Sequence, residues 1–218
     1  MNVFIVGIAG QTGLRLARLL KSRGDEVDGL YRRPVQSQML SAIGITGKLG
    51  DLVQIDVKQL ASDIRGNDVI VFTAGAGDQD SDAMIDAIDG DGVSKSIAAA
   101  QLAGVKRFVL ISVFPEAGRG EDWGESFEHY ILVKKQAEIA LTQTDLDWLI
   151  LRPSTLTDQP GVGTVSLGPA QLHTEVRRDD VASTTGELIH TPAIRRRILE
   201  LTGGTTPVEH AVAMQMES

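Results

Sequence analysis

The chain opens M-N-V-F-I-V-G-I-A-G-Q-T-G, and these residues constrain the fold more than any others. An apolar run, Val3–Val6, meets glycines at 7, 10 and 13, and a helical pattern begins at Leu14. The run reads as a buried strand, and the glycines as a turn with almost no side chains. The following helix then presents its N-terminus to that turn, with unpaired N–H groups and the positive end of its dipole. This is a seat for a phosphate. Gly7 permits the tight turn, Gly10 lets the backbone approach a pyrophosphate, and Gly13 lets the helix pack closely on the strand. A strand–turn–helix without a ligand shares the pattern; the strand before and the helix after favour the anion site.

The rest of the chain continues the alternation. Strands are predicted at Glu26–Tyr31, Thr46–Leu52, Asp68–Thr73, Arg107–Ser112 and Trp148–Leu151. Helical patterns lie between them, at Pro34–Ile43, Val57–Ile64, Ala83–Ala103 and Phe127–Thr142. Strands separated by helical crossovers imply an α/β fold, a doubly wound parallel sheet between helical layers. Residues 1–218 read as a single domain of this kind. Residues 152–218 form a small substrate-side part rather than a second domain. There the pattern loosens into a Gly- and Pro-rich loop, a short strand near Thr164–Leu167, a helix at Asp179–Ile189 and a late strand at Arg197–Leu201.

Composition narrows the function. Without cysteine, thiol catalysis, disulfides and cysteine zinc sites are excluded. The four histidines form no H-x-x-x-H pair, so no metal site is expected. A net charge of −8 argues against a protein that mainly holds nucleic acid. No apolar run approaches membrane-spanning length, and the N-terminus lacks signal-peptide order, so a cytoplasmic location is expected. The sequence leaves monomer or homodimer open.

Several clusters carry chemistry. The second strand ends L-Y-R-R-P, where a fold of this type meets the adenosine ribose. Arg32 and Arg33 suit a 2′-phosphate, favouring NADP over NAD, although arginines at a strand end can also be solvated surface. Asp51 and Leu52 follow the third strand; the Asp51 carboxylate can accept from an adenine amino group or cap local backbone. Thr73, Ala74 and Gly75 begin a small-residue stretch that lets a cofactor lie against backbone. Ser112 closes the fifth strand. Tyr130 and Lys134 are spaced to share a face of the next helix. A cationic lysine beside a phenol favours proton donation to a carbonyl, with Ser112 fixing that carbonyl. Lys134 can equally pair Glu138. Asp89-Gly90-Asp91-Gly92 interrupts a long helix, as a close approach or a plain kink would. Phe114 and Trp123 are candidate pocket walls or ordinary core.

At this level of detail the chain resembles the atypical short-chain dehydrogenase/reductases, specifically the small NAD(P)H-binding group that includes biliverdin reductase B. The matching stretches are Gly7–Gly13, Leu30–Arg33, Gly50–Leu52, Ile88–Gly92, Gly104–Ser112, His129–Glu138, Leu146–Asp158 and Arg178–Ala182. The resemblance implies a Rossmann fold with NADP(H) held by Gly7, Gln11, Thr12, Gly13, Arg32, Arg33, Asp51, Leu52 and Thr73–Gly75. It also implies Lys134 at the nicotinamide ribose, with Pro153 and Ser154 near the nicotinamide amide. Val113 departs from the second small polar residue that many relatives carry. The expected function is NADP-dependent hydride transfer to a small or flat carbonyl, quinone or flavin-like acceptor, with Tyr130, Lys134 and Ser112 catalytic. A non-catalytic NADP(H) sensor and a nucleotide-dependent isomerase or epimerase are the alternatives. The short stretch after Leu151 argues against the last.

Overall fold

The computed structural model describes residues 1–77, 81–117 and 123–216. The first half alternates as β1 (Asn2–Val6), α1 (Gln11–Ser22), β2 (Glu26–Tyr31), α2 (Gln36–Ser41), β3 (Lys48–Leu49), α3 (Val57–Ile64) and β4 (Val69–Phe72). There follow α4 (Asp82–Ile85), a π-helical turn at Asp86–Asp91, α5 (Gly92–Ala103), β5 (Arg107–Ile111), α6 (Glu125–Thr142) and β6 (Asp147–Pro153). The remainder comprises β7 (Thr155–Thr157), β8 (Thr164–Gly168), β9 (Glu175–Arg177), α7 (Arg178–Ile189), β10 (Arg197–Gly203), β11 (Thr206–Pro207) and α8 (Val208–Ala213). Among the described residues nine strands form one sheet, in the order β11-β8-β10-β6-β5-β4-β1-β2-β3.

From β10 to β3 every pairing is parallel, and helices flank both faces. This is a Rossmann-like α/β fold. The strand order reverses between β1 and β4, which opens a crevice at the carboxyl ends of the strands. Alternation along the buried strands sorts the core. Val3 and Ile5 of β1 join Leu16 and Leu20 of α1 and Val181 and Leu188 of α7 in one apolar cluster. Phe4 and Val6 point the other way, to Leu60 of α3, Ile97 of α5 and Leu141 of α6. A period-two strand buried on both faces therefore dictates three layers.

Some elements differ from the sequence reading. The third strand shrinks to Lys48–Leu49, because the Asp51 carbonyl already accepts from the Gln54 and Ile55 N–H groups in a turn. The helix expected over Ala83–Ala103 is broken by the π turn at Asp86–Asp91. A Cβ on Gly90 would stand 3.2 Å from Val133 Cγ1, and one on Gly92 would stand 2.8 Å from Leu52 Cδ2. The glycines thus serve close approaches. The sheet is not wholly parallel: β8 runs antiparallel to β10 and β11. The separate parallel pair β7–β9 occupies two short stretches to which the sequence pattern assigns no element.

Candidate functional site

The crevice at the strand ends is a cleft of about 590 Å³. Its floor begins with the glycine turn. Gly7 has φ +86°, a conformation natural to glycine, and a Cβ there would stand 2.7 Å from Ala74 N. A Cβ on Gly13 would run into the Gly7 carbonyl and lie 2.8 Å from Thr73 Oγ1. Gly13 therefore permits the approach of α1 to the strands. α1 starts at Gly10 with no side-chain cap and no acidic residue in its first turn. Its N–H groups and dipole are left for an anion. Gly7, Gly10, Gln11 and Thr12 line the cleft, whereas Gly13 packs beneath it. With its amide nitrogen turned toward Asp158, Gln11 donates to that carboxylate at 2.6 Å. Arg15 and Arg178 also pair with Asp158, and Arg178 lines the cleft.

At one end lie Leu30, Tyr31, Arg32, Asp51 and Leu52. Asp51 Oδ1 accepts from the Val53 N–H, so part of its carboxylate serves the local turn. Arg32 is exposed and lines the cleft. Arg33 is also exposed but lies outside the lining, and its backbone N–H donates to Gln36 Oε1. Thr73, Ala74 and Gly75 form the middle wall, with Thr73 Oγ1 donating to the Val6 carbonyl.

The other end gathers Ile111, Ser112, Tyr130, Lys134 and Asp89. Lys134 is buried, donates to the Ile111 carbonyl at 3.1 Å and stands 6.0 Å from the centre of the Tyr130 ring. Its ion pair is with Asp89, Nζ to Oδ1 at 3.4 Å. Glu138 instead takes a bidentate grip from Arg152 at 2.9 and 2.7 Å. Burial opposes the charge on Lys134, but Tyr130, Asp89 and Glu138 together hold its ammonium above the usual lysine value. Ser112 Oγ is buried and has no hydrogen-bond partner among the described residues.

Pro153 and Ser154 are buried and do not line the cleft, and Ser154 Oγ accepts from the Thr174 N–H. Phe114 is core, packed edge-on to His173 with ring centres 5.2 Å apart. Trp123 is exposed and lies against Phe127. Asp89 was not singled out as a ligand contact, and only the glycines around it hinted at a close approach. Asp158 and Arg178 meet through folding alone, since no local spacing joins them.

The residues present fit a dinucleotide. A capless helix N-terminus marks the middle of the cleft, and a buried hydroxyl with no partner among the described residues marks one end. A family model described as NAD(P)H-binding matches residues 7–192. The chain belongs to this NAD(P)H-binding family. A Bacillus subtilis (strain 168) protein named as an uncharacterized sugar epimerase is 34% identical over 213 residues, spanning 97% of this chain and 99% of the relative. A solved structure from Bacillus halodurans, described as an NAD-dependent epimerase/dehydratase, superposes with a TM-score of 0.88 at 26% identity. It covers 98% of this chain and 99% of that one. The oxidoreductase ylbE from Lactococcus lactis gives 0.87 at 26% identity, covering 100% and 98%. The chain thus combines this NAD(P)H-binding family with the Rossmann-like fold that these neighbours share.

Proposed function

We propose that the protein is an NADPH-dependent reductase acting on a small or flat carbonyl, quinone or flavin-like acceptor. The observation that carries this reading is the buried Ser112 hydroxyl, without a partner among the described residues, at the cleft end that also holds Tyr130 and Lys134. A nicotinamide bound there supplies the hydride. Ser112 donates to the acceptor oxygen and orients it. Tyr130 gives that oxygen its proton. Lys134, buried and charged, offsets the negative charge left on the phenol. At the opposite end Arg32 pairs with a 2′-phosphate, and the start of α1 receives the pyrophosphate. The name of the Lactococcus lactis neighbour agrees with this chemistry.

Titration with NADPH and NADH is the first test. NADPH should bind at least about tenfold tighter, since a charge-assisted contact contributes roughly 1.5–3 kcal/mol. NADPH oxidation should then be followed with quinones, flavins, simple carbonyls and nucleotide-sugars. Equal affinities would remove the role of Arg32. Tight binding with no acceptor turned over would make the protein a nucleotide sensor. The names of the Bacillus subtilis and Bacillus halodurans relatives favour a second reading, epimerisation with transient use of the nucleotide. Turnover of a nucleotide-sugar alone would establish it.

A further inference from the structure

Three aromatic rings run outward from the cleft end that holds Ser112, and the proposed chemistry uses only the first of them. Tyr130 lines the cleft. Phe127 stands about one turn before it on α6, with ring centres 6.1 Å apart and planes tilted by 38°. Trp123 folds back onto Phe127 at 5.4 Å and 34°, and Gly124 turns the chain at φ +81° just before the helix. Rings at these separations attract through their quadrupoles, so the three form a continuous ladder. A tryptophan that only stapled the start of the helix would bury its face. Trp123 instead stays 61% exposed, and Phe127 and Tyr130 are half-buried. An aromatic surface that begins in a cleft and stays uncovered is a stacking platform for a flat ring.

The charge around this platform is opposite to that elsewhere in the cleft, where Arg32 and Arg178 line the wall. Residues 81–91, 112–117 and 123–133, which frame the ladder, carry seven carboxylates and neither lysine nor arginine. Lys134, the next cation along α6, is offset by Asp89. Two of the acids reach α6 from α4 and the π turn. Asp82 accepts from Ser126 Oγ at 2.5 Å, and Asp86 meets His129 Nε2 at 2.9 Å, so both stand beside the Phe127 turn. Glu125 lies in the first turn of α6, and Glu116 is exposed in the loop after β5. A cleft mouth lined by one sign of charge concentrates ligands of the other sign and repels its own. A phosphate, sulfonate or carboxylate on the acceptor would be carried into this acidic mouth. A neutral ring escapes that repulsion, and a cationic ring gains further from the aromatic faces.

We propose that Trp123, Phe127 and Tyr130 form an acceptor subsite for a planar aromatic ring that bears no negative charge. This deepens the reading given under Proposed function and rests on it. It divides the flat acceptors named there by charge. A neutral flavin or quinone docks on the ladder, and its phosphorylated or sulfonated analogue is turned away.

Riboflavin and FMN provide the test, because they share one isoalloxazine ring and differ by a phosphate of about two negative charges. Each is titrated with protein saturated with NADP⁺, and flavin fluorescence is read, since stacking on tryptophan or tyrosine quenches it. At low ionic strength riboflavin should bind about tenfold tighter than FMN, and the gap should shrink to about twofold near 0.5 M salt, where charges are strongly screened. Trp123→Leu should weaken riboflavin binding about fivefold and remove most of the quenching, while NADP⁺ affinity stays within about twofold of wild type, which also reports a folded protein. Asp82→Asn combined with Glu116→Gln should narrow the gap between the two flavins at low salt. FMN binding as tight as riboflavin at low salt, quenching unchanged in Trp123→Leu, or no quenching by the NADP⁺ complex overturns the proposal. NADPH oxidation by riboflavin and by menadione, a neutral quinone, separates the subsite from the reading it rests on. Quenching with no oxidation by either keeps the subsite and removes the reductase. Oxidation with no charge preference and no dependence on Trp123 keeps the reductase and overturns the subsite.

Discussion

Arg32 and Arg33 are adjacent in sequence but unequal in space. Arg32 borders the cleft, whereas Arg33 stands outside the lining at the start of the turn into α2. Arg32→Ser should therefore erase most of the preference for NADPH over NADH, and Arg33→Ser should leave it nearly intact. Parallel titrations of both variants decide; matching losses would mean that the 2′-phosphate reaches both. Tyr130→Phe should leave NADPH affinity almost unchanged and lower turnover of a carbonyl acceptor by about a hundredfold or more. Lys134→Ala should harm both, and an unchanged carbonyl rate in Tyr130→Phe would reduce Tyr130 to a wall. The glycine turn could be read directly because its parts are adjacent and each answers a local steric demand. Asp89 could not be read in the same way. A carboxylate in a helical pattern is ordinarily solvated, and only folding brings Lys134 to it across a distance of 45 positions.

At the scale of elements, β2 and α3 were delimited correctly from sequence, because alternation and the Asp56 N-cap are local signals. The pair β7–β9 was not, since each strand has three residues and finds its partner far along the chain. The partner of Lys134 was left open for a similar reason. Glu138 lies one turn along the same helix, but Arg152 claims it from β6 with two short bonds. Arg152 Nη1 also faces Glu200 of β10 at 3.6 Å. α6, which carries Tyr130 and Lys134, is thus clamped to adjacent strands by buried charge. Arg152→Met should cost about 3 kcal/mol in a denaturant titration, because it leaves the buried Glu138 carboxylate with only the half-exposed Lys135 ammonium, at 3.7 Å. Adding Glu138→Leu should recover much of that loss. A single variant as stable as wild type would show that the clamp contributes little.

Across the whole molecule, the C-terminal segment is built into the sheet rather than placed beside it. β10 pairs in parallel with β6, from Arg197 opposite Leu149 to Leu201 opposite Pro153, and α7 packs against α1. A hydrogen bond joins the same two regions: the Asp25 carboxylate, between α1 and β2, meets His190 Nε2 at 3.0 Å, just past the end of α7. The Met1 ammonium reaches the same Asp25 oxygen at 3.1 Å. Burial pushes the Asp25 carboxyl up, but His190 and the ammonium outweigh it and leave its pKa below the usual aspartate value. The depressed pKa sets the sign. In the unfolded chain Asp25 takes up its proton at a higher pH than in the folded one, so the folded state gains stability above the unfolded pKa. That gain is lost as pH falls through the depressed folded value. Denaturant titrations of wild type and Asp25→Asn should therefore differ most near neutral pH, with wild type the more stable, and should converge as the solution becomes acidic. A difference that stays constant with pH would mean that Asp25 acts only through its shape and hydrogen bonds, and that the charge between the two regions contributes nothing.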